Sequence, residues 1–287
     1  MMNMTAIDPF ASIIHVSDYT SLSFEPALGL LHRDDTFGVL TLEIQERGKF
    51  IASYDGWRIA LYPESSSYDF LERGIISERY IRERIVHPFI RLLRGGILLH
   101  AGAVCTDAGG IGFLAPSGVG KSTITAGMLA FCGAKLISDD ILTLCYDAEN
   151  GGVLALPSST HLAMRHGMFD HDGFVEKTNT TEYKRLLMVN PQQCAQKPCV
   201  PGALVIVRHS QEISLRKLSF AEALPHILAQ QLTMSHAPEA FRRQQFRAIT
   251  GWLYGIPCYI LEMSCDTRQD AEAGICRLKQ LAIGDSL

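Results

Sequence analysis

Residues Ala115 to Thr123 read A-P-S-G-V-G-K-S-T, between the apolar run Ile111 to Leu114 and a second run from Ile124 to Phe131. A strand, a tight glycine turn and a helix start are written there in that order. Backbone N–H groups at a helix N-terminus face a bound phosphate, and Gly118 and Gly120 let the chain wrap closely around it. In such a phosphate loop Lys121 reaches the β- and γ-phosphates and Ser122 puts its hydroxyl on Mg²⁺. The expected contact set is therefore Ser117, Gly118, Val119, Gly120, Lys121, Ser122 and Thr123. One position departs from the motif, which begins with glycine where this chain has Ala115. Alanine fits a strand end provided its φ stays negative.

A chain of 287 residues with 47% hydrophobic content can bury a sizeable core, as one large or two modest domains. Its net charge of -4 and pI near 6.2 give it no general attraction to nucleic acid or anionic lipid. The expected partner is therefore a nucleotide held in a site, with neither nucleic acid nor membrane involved. Met1 to Phe10 has no basic flank and no long apolar core, and no other stretch approaches a membrane span of ~20 residues. The expected location is cytoplasmic. The cysteines at 105, 132, 145, 194, 199, 258, 265 and 276 form no C-x-x-C pair. They read as reduced thiols, several of them buried as small apolar residues.

In chain order, residues 1 to about 30 have weak periodicity and receive no assignment. Leu40, Leu42 and Ile44 alternate with Val39, Thr41 and Glu43; a turn at Glu46 to Lys49, then Phe50 to Ser53, Tyr54-Asp55-Gly56 and Trp57 to Tyr62 complete a small antiparallel sheet packed by Tyr54, Trp57 and Tyr62. Ser77 caps a helix with apolar positions Ile81, Ile85, Phe89, Leu92 and Leu93, which Pro88 must kink or divide and Gly95-Gly96 ends. This places the boundary between a β-plus-helix module, 1–95, and a nucleotide domain, 96–287. Within the latter, Ile97 to Val104 is a strand, Thr106 to Gly110 a turn, 122 to 132 a helix ending near Gly133, and Lys135 to Ser138 a strand. Strands 141 to 146 and 153 to 156 follow, and the polar region 158 to 202 has no legible fold. Ala203 to Val207 and Ile213 to Lys217 are strands. Ser219-x-x-Glu222 opens a helix through about Thr233. Pro238 to Tyr254 is a helix, Cys258 to Met263 a strand and Thr267 to Ala282 the closing helix.

Asp139 and Asp140 lie 18 and 19 residues after Lys121, at the end of a strand expected to sit beside the loop. One carboxylate there can hold Mg²⁺ while the other takes a proton from an attacking hydroxyl. His100 ends an apolar strand, where histidine is more often structural than catalytic. Other polar groups read blandly. His161, His166 and His171 are spaced by fives, which does not stack them on one helical face for zinc. Arg165, Lys177, Lys184 and Arg185 are ordinary surface cations by default, and Arg242, Arg243 and Arg247 form a solvated helix face.

His100-Ala101-Gly102-Ala103-Val104, then A-P-S-G-V-G-K-S-T, then Ser138-Asp139-Asp140 resembles the catalytic domain of the HPr kinase/phosphorylase family, over about residues 96 to 145. The resemblance implies an α/β fold shared with ATP-dependent phosphoenolpyruvate carboxykinase, and a serine kinase using ATP and Mg²⁺. It also implies that the acid pair is general base and metal site, with Asp140 as base, Asp139 together with Ser122 on the metal, and His100 beside them. The E-x-R-G-x-G signature that follows the acid pair in HPr kinases has no counterpart here, so the reverse phosphorylase reaction is not implied. The first 95 residues do not resemble that family's N-terminal domain, which makes HPr a poor fit as substrate. Divergent kinases of this type phosphorylate a precursor serine in the biosynthesis of ribosomally made peptides, lasso peptides among them. The sequence thus points to phosphoryl transfer from ATP to a peptide serine. A kinase of a small hydroxylated metabolite and a nucleotide-sensing regulator without transfer are the alternatives. The choice between monomer and homo-oligomer stays open.

Overall fold

Period-two alternation in the first part of the chain builds one antiparallel sheet. The computed structural model describes residues 6–7, 29–34, 38–45, 49–54, 56–165, 168, 174–177, 184–232 and 239–283. They divide into a first unit, the described parts of Met1–Leu98, Thr143–Gly152 and Leu232–Leu253, and a second, those of Leu99–Leu142, Val153–Gln231 and Tyr254–Leu287. The first unit's sheet comprises β1 (Ala6–Ile7), β2 (Gly29–Asp34), β3 (Gly38–Gln45), β4 (Lys49–Tyr54), β5 (Trp57–Tyr62) and β6 (Ser67–Glu72), ordered β1-β6-β5-β4-β3-β2. Tyr54 pairs with Trp57, and Gly56 between them has φ 77°, at the turn expected there; Asp55 lies outside the described residues. Trp57 is buried and meets Phe70 edge-on, ring centroids 5.1 Å apart. The turn expected at Glu46 to Lys49 lies largely outside the described residues.

The helical run after this sheet begins as α1 (Glu78–Ile81), widens into a π-helical stretch at Arg82–Val86, and continues as α2 (His87–Leu93). Ser77 caps it by accepting from the Tyr80 N–H at 3.4 Å. Proline lacks an N–H and crowds the carbonyl four residues before it. Here the wider winding just ahead of Pro88 makes room, so the run is divided by a change of pitch rather than by a break. Ile81, Ile85, Phe89, Leu92 and Leu93 are buried, as their helical spacing requires.

Later elements are β7 (Ile97–Thr106), β8 (Gly109–Leu114), α3 (Lys121–Cys132), β9 (Lys135–Ser138), β10 (Ile141–Asp147), β11 (Gly152–Leu156), β12 (His161–Arg165), β13 (Phe174–Lys177), β14 (Lys184–Val189), β15 (Pro201–His209), β16 (Ser214–Leu218), α4 (Phe220–Ala229), α5 (Glu239–Trp252), β17 (Cys258–Met263) and α6 (Arg268–Ile283). The second unit is mixed α/β. In its central sheet β7-β8-β15-β17-β16 follow in order and β9 also pairs with β7, with β15 parallel to both β8 and β17 and the β7–β8, β7–β9 and β16–β17 pairings antiparallel. Such parallel strands are covered on both faces and read as near-continuous apolar runs, as Leu204 to Val207 and Tyr259 to Leu261 do. Ile124, Met128 and Leu129 of α3 and Ile275 and Leu278 of α6 join Phe113, Val205 and Leu261 in one core. Region 158–202, illegible in sequence, holds a three-stranded antiparallel sheet, β12-β14-β13.

Two sequence expectations are corrected here. The strand ending in the acid pair, β9, does not lie beside β8; it pairs with β7, which stands between them. The short turn at Thr106 to Gly110 folds β7 back on β8 and occupies that edge. Because β8 and β9 are both antiparallel to β7, they run in the same direction, and the loop after β8 and the acids after β9 leave the sheet at one end. The helix opened by Ser219 keeps its capping box, with Ser219 N–H donating to Glu222 at 2.8 Å, but ends at Ala229 rather than near Thr233. Gln231 leaves the helix to bridge Leu99, and Gln230 accepts from the His100 N–H at 2.7 Å.

Gly102 lies in the middle of this arrangement. A Cβ there would fall 2.5 Å from Thr125 Oγ1 on α3 and 3.4 Å from the Asp139 carbonyl. A glycine inside a strand marks a close backbone approach, and this one lets the loop-bearing helix and the acid pair crowd the same strand. Gly102→Ala should lower unfolding stability by about 1–3 kcal/mol through overpacking. Because Thr125 Oγ1 is buried without a hydrogen-bond partner, Thr125→Ala should recover much of the loss in the double variant. Urea denaturation of the four proteins checks this, and strictly additive losses would contradict it.

Candidate functional site

β8 ends at Leu114, and Ala115 to Gly120 form the expected loop. Among the described non-glycine residues only Ser66 has positive φ, so Ala115 adopts the strand-end geometry that its side chain permits. Gly118 and Gly120 have φ of 86° and 117°, a region that side chains disfavour. Gly120 also meets the chain after β17, since a Cβ on it would collide with the thiol of Cys265. Lys121 then opens α3 with no side-chain cap on the helix. The first N–H groups of a helix have no intrahelical acceptor, so this turn is ready to bind an anion. Pro116 to Gly118 are exposed, Ser122 is half-buried and Thr123 is buried.

The Lys121 side chain folds back under the loop, where its Nζ donates to the carbonyls of Ala115 at 2.7 Å and Pro116 at 3.2 Å. It is 6% exposed. A buried ammonium needs such acceptors, because stripping it of water without compensation costs several kcal/mol. Lys121 thereby holds the loop closed and keeps a positive charge at its floor.

On the other side of β7, backbone bonds set the acids in place. Ala101 N–H donates to the Asp140 carbonyl at 3.0 Å, and Ser138 Oγ donates to the Ala101 carbonyl at 3.1 Å. The two carboxylates then part. Asp139 is 2% exposed, and its Oδ2 accepts from the Ala163 N–H of β12 at 2.9 Å. Asp140 turns to the neighbouring strand, where its Oδ1 lies 3.1 Å from His100 Nε2, with 32% and 18% of the two side chains exposed. Leu114 pairs with Ala101 on one side of β7, and Asp140 bonds to Ala101 on the other. The start of the loop and the acid pair are thus two strand spacings apart, about 10 Å between backbones. The arrangement offers an anion cradle with a buried cation, and within reach of it a carboxylate–imidazole pair open to solvent.

Among the described residues no group of three His, Cys, Asp or Glu side chains gathers to hold a metal. Mg²⁺ typically takes one or two carboxylates and completes its shell with phosphate oxygens and water, so it needs no such cluster. Of the other candidates, His161 is buried on β12 with Nδ1 3.1 Å from Thr160 Oγ1, while His166 and His171 lie outside the described residues. Arg165, Lys177, Lys184 and Arg185 lie on β12, β13 and β14. Arg242, Arg243 and Arg247 are exposed on α5. Sequence reasoning missed the Ala163 N–H, the Gln230 carbonyl and Cys265. None carries a motif, because each acts through backbone or through packing from a distant part of the chain. The isolated Gly102 between apolar residues was the one readable signal.

No family model matches the chain, and no curated protein matches it. Among solved structures, the chain is similar to the Hpr(Ser) kinase/phosphatase from Coxiella burnetii, at 10% identity and a TM-score of 0.34 over 65% of this chain and 94% of that one. A likeness of that size carries no weight beside the geometry of the loop, Lys121 and the acid pair.

Lys121→Ala removes the buried charge and both carbonyl contacts. A charge-assisted hydrogen bond contributes about 1.5–3 kcal/mol, so affinity for a nucleoside triphosphate should fall roughly 10- to 150-fold. Calorimetric titration with Mg-ATP against a folded Lys121→Ala protein measures this, and unchanged affinity would remove the phosphate-loop assignment.

Proposed function

We propose that the chain is an ATP-dependent kinase of HPr kinase-like fold that transfers the γ-phosphoryl group to a serine or similar aliphatic hydroxyl of a peptide, such as a ribosomal peptide precursor, in the cytoplasm. The observation that carries the reading is the His100–Asp140 pair, 3.1 Å apart, at the sheet end from which the glycine loop also leaves. A nucleotide-sensing regulator needs the loop but has no use for a carboxylate oriented by an imidazole beside it. Residues 96–287 would carry the catalytic machinery and 1–95 the module that receives the peptide. In support of the latter, β2 ends the six-stranded sheet among the described residues. An edge strand can take up an extended peptide by main-chain hydrogen bonds.

Bound Mg-ATP supplies the phosphoryl group and a divalent charge that offsets its phosphate oxygens. The chain's own part is positioning and electrostatics. The N–H groups from Gly118 to Thr123 line the phosphates, with Ser117 and Val119 shaping the turn. Lys121 shifts its Nζ from the loop carbonyls towards them. Ser122 Oγ and the Asp139 carboxylate would hold the metal, and the Ala163 N–H keeps Asp139 from turning. Asp140 accepts the proton of the attacking hydroxyl as the new P–O bond forms. His100, fixed through its own N–H on Gln230, holds the Asp140 carboxylate in the direction of attack.

The test is incubation with Mg-ATP and serine-bearing precursor peptides, read by mass spectrometry for a gain of about 80 Da, one phosphoryl group. HPr should remain unmodified. With an active peptide in hand, Asp140→Asn should cut turnover by roughly 10²-fold or more with nucleotide affinity nearly kept. Asp139→Asn should weaken Mg-ATP binding as well. Transfer to a small hydroxylated metabolite alone would reassign the acceptor. Near-normal turnover in both Asn variants would overturn the mechanism.

A further inference from the structure

Away from the phosphate loop, two cysteines from distant parts of the sequence meet. Cys105 lies on β7 directly opposite Gly110 of β8, and on its other side opposite Lys135 of β9. Cys199 sits in the segment entering β15, tied to Ala155 by hydrogen bonds of 2.8 and 3.0 Å, and the next residue's carbonyl accepts from Gly110 N–H at 2.8 Å. Residues directly opposed in an antiparallel pair put their Cβ positions on the same face, roughly 4.5–5.5 Å apart. A Cβ on Gly110 would lie 3.6 Å from Cys199 Sγ. Cys105 and Cys199 therefore flank one face of a glycine whose missing side chain leaves the space between them open, and each thiol donates to a backbone carbonyl at 3.8 Å, Cys105 to that of Thr106 and Cys199 to that of Val200. The neighbouring Cys199 side chain lowers the Cys105 thiol to about 7 against its partial burial; Lys135 adds to the lowering and Asp107 opposes it. Cys105, with burial, pushes the Cys199 thiol up. A lowered thiol beside a second thiol suits Cys105 as the attacking sulfur.

We propose that Cys105 and Cys199 form a redox-active dithiol that a peroxide closes to a disulfide. The Cys105 thiolate attacks one peroxide oxygen; the S–O bond forms, the O–O bond breaks, and hydroxide leaves with the electron pair. The Cys199 sulfur then attacks the resulting sulfenic sulfur, the S–S bond forms, and the Cys199 proton leaves with the hydroxyl as water. Two thiols are oxidised and one peroxide is reduced, and a small-molecule dithiol reverses the change. The bridge would tie β7 to the entry of β15, about 17 Å along β7 from His100, so the site is separate from the proposed kinase chemistry.

The test uses the full chain, fully reduced and then exposed to hydrogen peroxide at neutral pH, with no substrate or nucleotide present. Intact mass should fall by two hydrogens, and peptide mapping should join the peptides carrying Cys105 and Cys199. Dithiothreitol should restore both thiols. In Cys199→Ser the reaction should stop at a Cys105 sulfenic acid trapped by dimedone, with Cys105 labelled roughly tenfold faster than Cys132, whose thiol burial raises. Circular dichroism of each variant confirms folding, and Cys199→Ala serves if the serine variant does not fold. Overturning results are free Cys105 and Cys199 after oxidation of Cys132 or Cys276, or a Cys105 that passes to sulfinic acid while Cys199 stays a thiol.

Discussion

The second unit depends on how closely three backbones approach at Gly102. Strand β7 has β8 on one side and β9 on the other, and α3 lies across it with Thr125 in the space a side chain would fill. Two antiparallel pairings on one strand make their outer partners run alike. A loop at the end of β8 and a turn at the end of β9 must then emerge together, whatever their sequences. The site follows from that constraint. Glycine supplies the cradle, and topology brings the carboxylates to it from a separate strand.

The two acids show how adjacent residues are given different surroundings. Successive residues leaving a strand point to opposite sides. Asp139 goes inward to a backbone N–H of β12, and Asp140 goes across to His100. A carboxylate held by a backbone donor has little freedom and suits a fixed ligand. One paired with a partly exposed imidazole stays within reach of an incoming hydroxyl. The resemblance in sequence implies a division of roles between the two acids, and their hydrogen bonds give them different surroundings.

Local signals were legible where local chemistry determines them. The Ser77 and Ser219 caps, the turn at Gly56, the loop glycines and Gly133 after α3 each describe a backbone need within a few residues, and each occupies the expected position. What failed was long-range. Strand order cannot be inferred from apolar runs, so the placement of β9 beside the loop overlooked β7. Helix α4 stops early because Gln231 pairs with Leu99, a demand from far along the chain that overrides good helical periodicity. Region 158–202 was unreadable because short strands of polar and apolar residues look alike in sequence, and only their pairing distinguishes them.

Lys121 connects stability to chemistry. Its ammonium, almost wholly out of water, is held by two carbonyls of the loop it serves. Those carbonyls carry partial charges only, so they offset the cost of burial without neutralising the cation. In a low-dielectric pocket a full negative charge is attracted far more strongly than in water. A phosphate arriving at the α3 N-terminus would meet a charge already desolvated, and Lys121 Nζ would have only to turn from the two loop carbonyls towards it. Cys265 packs closely on Gly120 of the same loop, where a side chain would collide with its thiol.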